Sequence, residues 1–312
     1  MPRAVILLAA AAALAAPAMA QRQGAPFTIA ETGEGFATLA DALRQAGDRR
    51  ATILIAPGTY RQCAVQEAGE ITFKAVQPGT AIFEKETCED KAALVLRGRG
   101  SVVDGLVFRH YEVSDGNGAG IRIEQGDLIV RNSMFLDSQE GILGGNPSGQ
   151  RITIDHSTFA GLGQCETWDC SHSIYLANKG QVIITSSRFE RGTGGHYVKL
   201  RVPNVQILDS SFDDTAGSKT NYMIDLPEGG TGLIARNTFV QGVDKENWSG
   251  FIVVAAENKN YSAAGLTVTD NDASLAPGVK VSPAFVADLS GEPLRISGNR
   301  LGPGLREFER RK

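Results

Sequence analysis

Apolar and polar positions alternate along this chain in short runs, and one pattern keeps returning. A β-branched run leads through polar residues to a phenylalanine, as in Leu128-Ile129-Val130-Arg131-Asn132-Ser133-Met134-Phe135 and Val182-Ile183-Ile184-Thr185-Ser186-Ser187-Arg188-Phe189. These phenylalanines stand at 108, 135, 159, 189, 212 and 239, spaced by 27, 24, 30, 23 and 27 residues. A second short run follows most of them: Ile121-Arg122-Ile123, Gly141-Ile142-Leu143, Ile174-Tyr175-Leu176, Val198-Lys199-Leu200, Ile224-Asp225-Leu226 and Ile252-Val253-Val254. Period-two alternation predicts strands. No helical stretch separates them, which argues against a βα barrel. A sandwich is disfavoured because its strands recur every ~8–12 residues. The pattern predicts an all-β fold, a parallel β-helix in which each coil is a rung that buries its inner side chains only by stacking. The phenylalanines then form an internal ladder, and Asn and Asp occupy corners where left-handed dihedrals are needed.

An open solenoid end exposes apolar side chains and strand edges, so a cap is expected. Phe36–Ala46 reads as a short amphipathic helix that caps the N-terminal end, ahead of a first rung at 51–60. The chain divides into a signal peptide (1–20), an N-terminal cap (21–50), the β-helix (51–305) and a polar C-terminal tail (306–312).

Composition narrows the function classes. With 42% apolar residues and 36 glycines in no three-residue period, neither disorder nor collagen fits. The net charge is −4, and no basic block precedes Arg310-Arg311-Lys312, so a nucleic-acid partner is not expected. Arg3, the apolar stretch Ala4–Ala16 and Ala18-Met19-Ala20 read as a cleavable leader with cleavage after Ala20. The expected product is a periplasmic or secreted monomer with no membrane association. Four cysteines in an exported chain suggest disulfides. Cys63 and Cys88 lie about one turn apart, and Cys165 and Cys170 can close a tight loop. The rival for the second pair is a metal site with His172 and His196, whose spacing is not a standard zinc pattern.

The capping helix, TILIAPGTYR at 52–61, VVDGLVFRH at 102–110 and the Asn/Ser-x-Phe rungs together resemble the pectate-lyase-like right-handed β-helix superfamily over about residues 26–305. That superfamily includes polysaccharide lyases, uronan epimerases, glycoside hydrolases and adhesion domains, so the resemblance implies the fold and leaves the activity open. Pectate lyases of this fold use an Arg or Lys base and usually calcium held by carboxylates. RVP at 201–203 resembles the start of their Arg-x-Pro-x-x-Arg segment, with Gln206 in place of the second Arg. TIDH at 153–156 resembles their Trp-Ile-Asp-His segment, with Thr153 for Trp. The Asp-Pro-His-Leu motif of alginate epimerases and the Asn-Thr-Asp segment of polygalacturonases are absent. Calcium remains open as a cofactor, with no clear acidic cluster beside Lys199.

Aligning the second strands on their inward residues puts Arg122, Leu143, Tyr175, Lys199, Asp225 and Val253 in one outward row. Arg201 lies two residues beyond Lys199, and His172, His196 and Tyr222 lie three residues before Tyr175, Lys199 and Asp225. Three adjacent rungs thus concentrate His, Tyr, Lys, Arg and Asp on one solvent-facing side. Such a set suits β-elimination from a uronic-acid polymer, which needs cations at the C6 carboxylate, a base for the C5 proton and an acid for O4. The expected catalytic residues are His196 as base, with Lys199 as the alternative, Tyr175 as acid, and Arg201 on the carboxylate. His172, Trp168, Tyr222, Asp225 and Arg122 are expected to bind substrate, with Trp168 presented by the Cys165–Cys170 loop. The leading expectation is a lyase acting on an acidic polysaccharide. A glycoside hydrolase or epimerase and a non-catalytic carbohydrate-binding β-helix are the alternatives. Asp213 and Asp214 read as solvated turn residues, and His110 and His156 as turn or packing residues.

Overall fold

The computed structural model describes residues 24–146, 149–166 and 169–312, and the expected leader lies outside them. Among the described residues the chain winds into a parallel β-solenoid with three sheets of 12, 10 and 10 strands, the first of them begun by two antiparallel strands. One turn runs through Asp127–Arg131 in the first sheet, Met134–Ser138 in the second and Glu140–Gly144 in the third. The next rung pairs with each in parallel register.

The recurring sequence pattern has a local cause. The first and second sheets meet at a corner where one residue takes a positive φ, as at Asn132, His156, Ser186, Asp209, Arg236 and Asp270. Asn and Asp favour this conformation, yet His, Ser and Arg also occupy it here because the neighbouring rungs fix the turn. The following residue is Ser or Asn, and its side chain accepts from the backbone N–H one rung earlier. Ser157 Oγ takes Ser133 N–H, Asn237 Oδ1 takes Ser210 N–H, and Asn271 Oδ1 takes Asn237 N–H, at 3.3, 3.0 and 3.0 Å. The ladder satisfies backbone donors that the corner removes from the sheet. Beyond it the phenylalanines stack inside the coil. Phe108, Phe135, Phe159, Phe189, Phe212 and Phe239 pair in register, with centroids 4.7 Å apart at Phe189–Phe212 and 5.1 Å at Phe108–Phe135. The stack begins one rung earlier than the sequence pattern, at Phe83.

The helix Leu39–Ala46 starts at Thr38, whose hydroxyl accepts from Asp41 N–H, and it buries Leu39, Ala42, Leu43 and Ala46 over the open end of the coil. Cys63–Cys88 links successive turns and Cys165–Cys170 closes the short loop. The second disulfide removes the sulfur ligands from the rival metal site. Residues 306–312, expected as a polar tail, extend the solenoid: Arg306–Arg310 pairs in parallel with Ala284–Asp288. Charged residues suit an edge strand. Among the described residues no helix is long and apolar enough to cross a membrane.

Candidate functional site

The third sheet carries the expected outward row. Tyr175 pairs with Lys199, Lys199 with Asp225, and Ala177 with Arg201, while Arg122 lies two rungs earlier, in register with Leu143 and then Tyr175. These strands floor a groove of about 670 Å³. Connections from the second to the third sheet wall one side, including Asp169, Cys170, Asn221 and Glu246, and Glu257, from the turn after Gly250–Val254, closes the other. Trp168 lies outside the described residues.

Outward does not mean solvated. His172, His196 and Asp225 are all buried, Asp225 to 2% exposure, because the walls fold over them. Tyr222 packs against the apolar patch around Val253, and its hydroxyl accepts from Asn247. Neither Asp225 nor Tyr222, both expected to bind substrate, is among the residues lining the groove, and the buried Asp225 stands behind it.

The two imidazoles pack at a tilt of 34°, with ring centroids 4.9 Å apart, and His196 continues onto Tyr222 at 5.0 Å. His172 Nδ1 accepts the backbone N–H of His196 at 3.0 Å, and His196 Nδ1 accepts that of Tyr222 at 3.1 Å. A backbone N–H can only donate, so Nδ1 carries a lone pair in both rings and Nε2 carries the proton. Burial, then the nearby Lys199 and Arg201, depresses His172 to about 3, and burial, then His172 and Lys199, holds His196 well below its usual range. Both rings are therefore neutral Nε2–H donors. The 3.4 Å approach of His196 Nε2 to Asp225 Oδ2 is a neutral ring facing a carboxylate, not an ion pair. His196, expected as the base, has no free lone pair to act as one. Gly195 permits the packing: its φ is +58°, and a Cβ there would meet the Ser171 carbonyl and lie 2.6 Å from His172 Nδ1.

The cations are already matched. Glu257 bridges them, with Oε1 2.8 Å from Lys199 Nζ and Oε2 2.5 Å from Arg201 Nη2, and Arg201 Nη1 lies 3.0 Å from Glu228. Arg201 Nε donates to Tyr175 Oη at 2.9 Å, so the tyrosine's own proton stays free to be given away. Both cations lie 5.6 Å from the Tyr175 ring centre. Burial lifts the Glu257 carboxyl, but the bonds from Lys199 and Arg201 outweigh it and keep Glu257 ionised. Burial raises Asp225 to about 7, against the pull of Lys199 Nζ 3.9 Å away.

Several of these groups escaped the sequence reading. Glu257 comes from a turn of irregular length, and Glu140 begins its strand at a position where no other rung is acidic, whereas Glu228 is legible in the sequence as a carboxylate partner of Asp225 in the hydrolase alternative. Asp214 is fully buried, bonded by Tyr197 Oη and Thr220 Oγ1 and paired with the equally buried Lys245 at 3.2 Å. This corrects its reading as a solvated turn residue, and the cluster pins the turns that carry Asn221 and Tyr222. His110 and His156 sit at left-handed corners, as expected. The carboxylates beside Lys199 do not fit calcium: Glu257 and Glu228 spend their oxygens on Lys199, Arg201 and Asn260. The described ligand atoms that do cluster are those of Cys165, Cys170 and Glu246, and both sulfurs are in a disulfide.

The family profile described as "Right handed beta helix region" matches residues 92–274. The structure is similar to an alginate lyase from Paenibacillus sp. str. FPU-7, at 16% identity and a TM-score of 0.58, covering 87% of this chain and 94% of that one. Rice weevil pectin methyl esterase also matches, at 12% identity and a TM-score of 0.47, covering 90% of each chain. A DFA-IIIase from Arthrobacter chlorophenolicus A6 matches at 14% identity and a TM-score of 0.47, covering 83% of this chain and 82% of that one. At these identities the likeness is one of fold. No curated protein matches the chain in sequence.

Proposed function

The chain belongs to the right-handed β-helix family, and from that premise we propose that it is an exported lyase that cleaves a uronic-acid-containing polysaccharide by β-elimination. The alginate lyase among its structural neighbours is consistent with this choice. Two disulfides suit an oxidising compartment. The observation that carries the reading is the seat between Lys199 and Arg201, which already grips one carboxylate, that of Glu257. A uronate entering the groove takes that place, and Arg201 supplies planar, charge-assisted donors. The Nε2–H groups of His172 and His196 add neutral donors whose state does not change over the working pH range.

Lys199 is the base. It first passes a proton to Asp225, the carboxylate 3.9 Å behind it. It then takes the C5 proton; the C5–H electron pair becomes the C4–C5 double bond, and the C4–O4 bond breaks. Tyr175 gives its proton to O4, and the phenolate left behind is held by Arg201 Nε. Solvent restores both groups. The products are a chain with an unsaturated uronate end and a chain with a new hydroxyl end. Incubation with alginate, polygalacturonate, glucuronan and glycosaminoglycans, followed by ultraviolet absorbance of the conjugated end, tests this. New reducing ends without that absorbance would mean hydrolysis, and binding without either would mean a carbohydrate-binding module.

A further inference from the structure

We propose that Arg122 and Glu140 form a second carboxylate-binding subsite on the floor of the same groove, which takes the uronate of a neighbouring sugar in the polymer. This rests on the reading of the substrate as a polyuronate. Among the described residues, seven buried side-chain polar atoms have no hydrogen-bond partner, and Arg122 Nε and Glu140 Oε2 are the two whose residues line this groove. A buried donor or acceptor without a partner is costly, so two of them on residues that line one groove mark a place where a polar ligand repays that cost.

The chemistry of the pair selects the ligand. The carboxylate nearest Arg122 Nε is Glu124 Oε1, 3.9 Å away, and Glu124 is held by Lys91 at 2.8 Å and Arg97 at 2.6 Å. Arg122 Nε is thus an unspent donor, unlike the guanidinium nitrogens of Arg201. Glu140 is 1% exposed. Burial holds its carboxyl well above the usual range, and neither the His172 N–H nor the charges of Arg122 and Lys199 bring it back down; Asp115 pushes the same way as burial. That direction favours the protonated form, in which the oxygen that does not accept from His172 is a donor. An N–H and an O–H on two residues that line one groove are two donors, which suits a carboxylate better than a sugar hydroxyl. Arg122 lies two rungs from Tyr175, ~10 Å at a rung spacing of about 4.8 Å, a reach of one or two sugars along the groove.

Calorimetric titration separates this subsite from the reaction. The parent is Lys199→Ala, which does not consume its ligand. It is titrated with uronate oligosaccharides and with the same oligosaccharides after reduction of their carboxyls to alcohols. Adding Arg122→Met or Glu140→Leu should weaken uronate binding roughly tenfold and leave the reduced ligands unaffected. Glu140→Gln, which keeps a neutral donor and the shape, should bind within about threefold of the parent and guards against a folding defect in the Leu variant. Unchanged uronate binding in Arg122→Met would overturn the subsite. So would equal losses for uronate and reduced ligands, or a parent that binds no uronate oligosaccharide. If the wild-type protein binds as expected but yields no unsaturated ends, the subsite stands and the elimination reading falls.

Discussion

Asp225 makes the sharpest test, because its burial should cost stability as well as serve chemistry. Replacing it with Asn keeps the shape and removes the ionisable proton. In the unfolded chain the carboxyl titrates near 3.8, and in the fold burial raises it to about 7. Between those values the folded state holds the proton that the unfolded state has released, so stability is full below pH ~4 and is lost as pH rises toward 7. The accumulated cost is about 4 kcal/mol at pH 8 and less than half of that at pH 5. Asp225→Asn avoids it and should be the more stable protein, with an advantage more than twice as large at pH 8 as at pH 5. At roughly 2 °C per kcal/mol for a chain of this size, the midpoint should rise by about 8 °C at pH 8. Thermal unfolding followed by circular dichroism at both pH values reads the difference, and groups that titrate alike in both proteins drop out. An advantage that does not change with pH, or a variant less stable at pH 8, would refute the burial argument. The variant should also lose turnover, since Lys199 has lost its proton acceptor.

Other outcomes follow from the same geometry. Wild-type turnover should fall as pH drops through about 7, where Asp225 takes up its proton, and that limb should move to a different pH in Asp225→Glu, which keeps a carboxyl in a changed position; an unmoved limb would assign it elsewhere. Glu257→Gln should lower KM for a polyuronate roughly fivefold, about 1 kcal/mol for releasing a half-exposed ion pair, and a raised KM would show that Glu257 helps to hold substrate instead. Lys199→Ala and Tyr175→Phe should each reduce kcat by ~100-fold or more while the circular dichroism spectrum is kept, whereas full activity in either removes that residue from the reaction. Phe159→Ala, at the middle of the aromatic stack, should cost ~3–5 kcal/mol in chemical denaturation, and a loss below 1 kcal/mol would mean that the stack is not a main source of stability.

The scaffold could be read from the sequence because it repeats. Phe108 to Phe239, and from Phe135 onward the Ser or Asn two residues before each, recur at each rung, and once those align, the register of Tyr175, Lys199 and Asp225 follows. The state of the site could not be read the same way. Whether an outward side chain meets water depends on connections of unequal length, which cover Asp225 and both histidines and bring Glu257 to Lys199. Residue type marked His196 as a candidate base, but only the geometry shows that the Tyr222 N–H occupies Nδ1. Asp214 looked like its neighbour Asp213 until Lys245, far along the chain, was found against it. Alternation likewise missed the Arg306–Arg310 strand, whose inward residues are scarcely apolar.

The division between stacked rungs and the connections that overhang them has an evolutionary corollary. Aromatic and hydroxyl columns inside the coil hold it upright, while the turns around Cys165, Asn221 and Glu257 shape what the cleft admits. Insertions in those turns would change only the overhang, so the cleft could be reshaped without renegotiating how the coil stands.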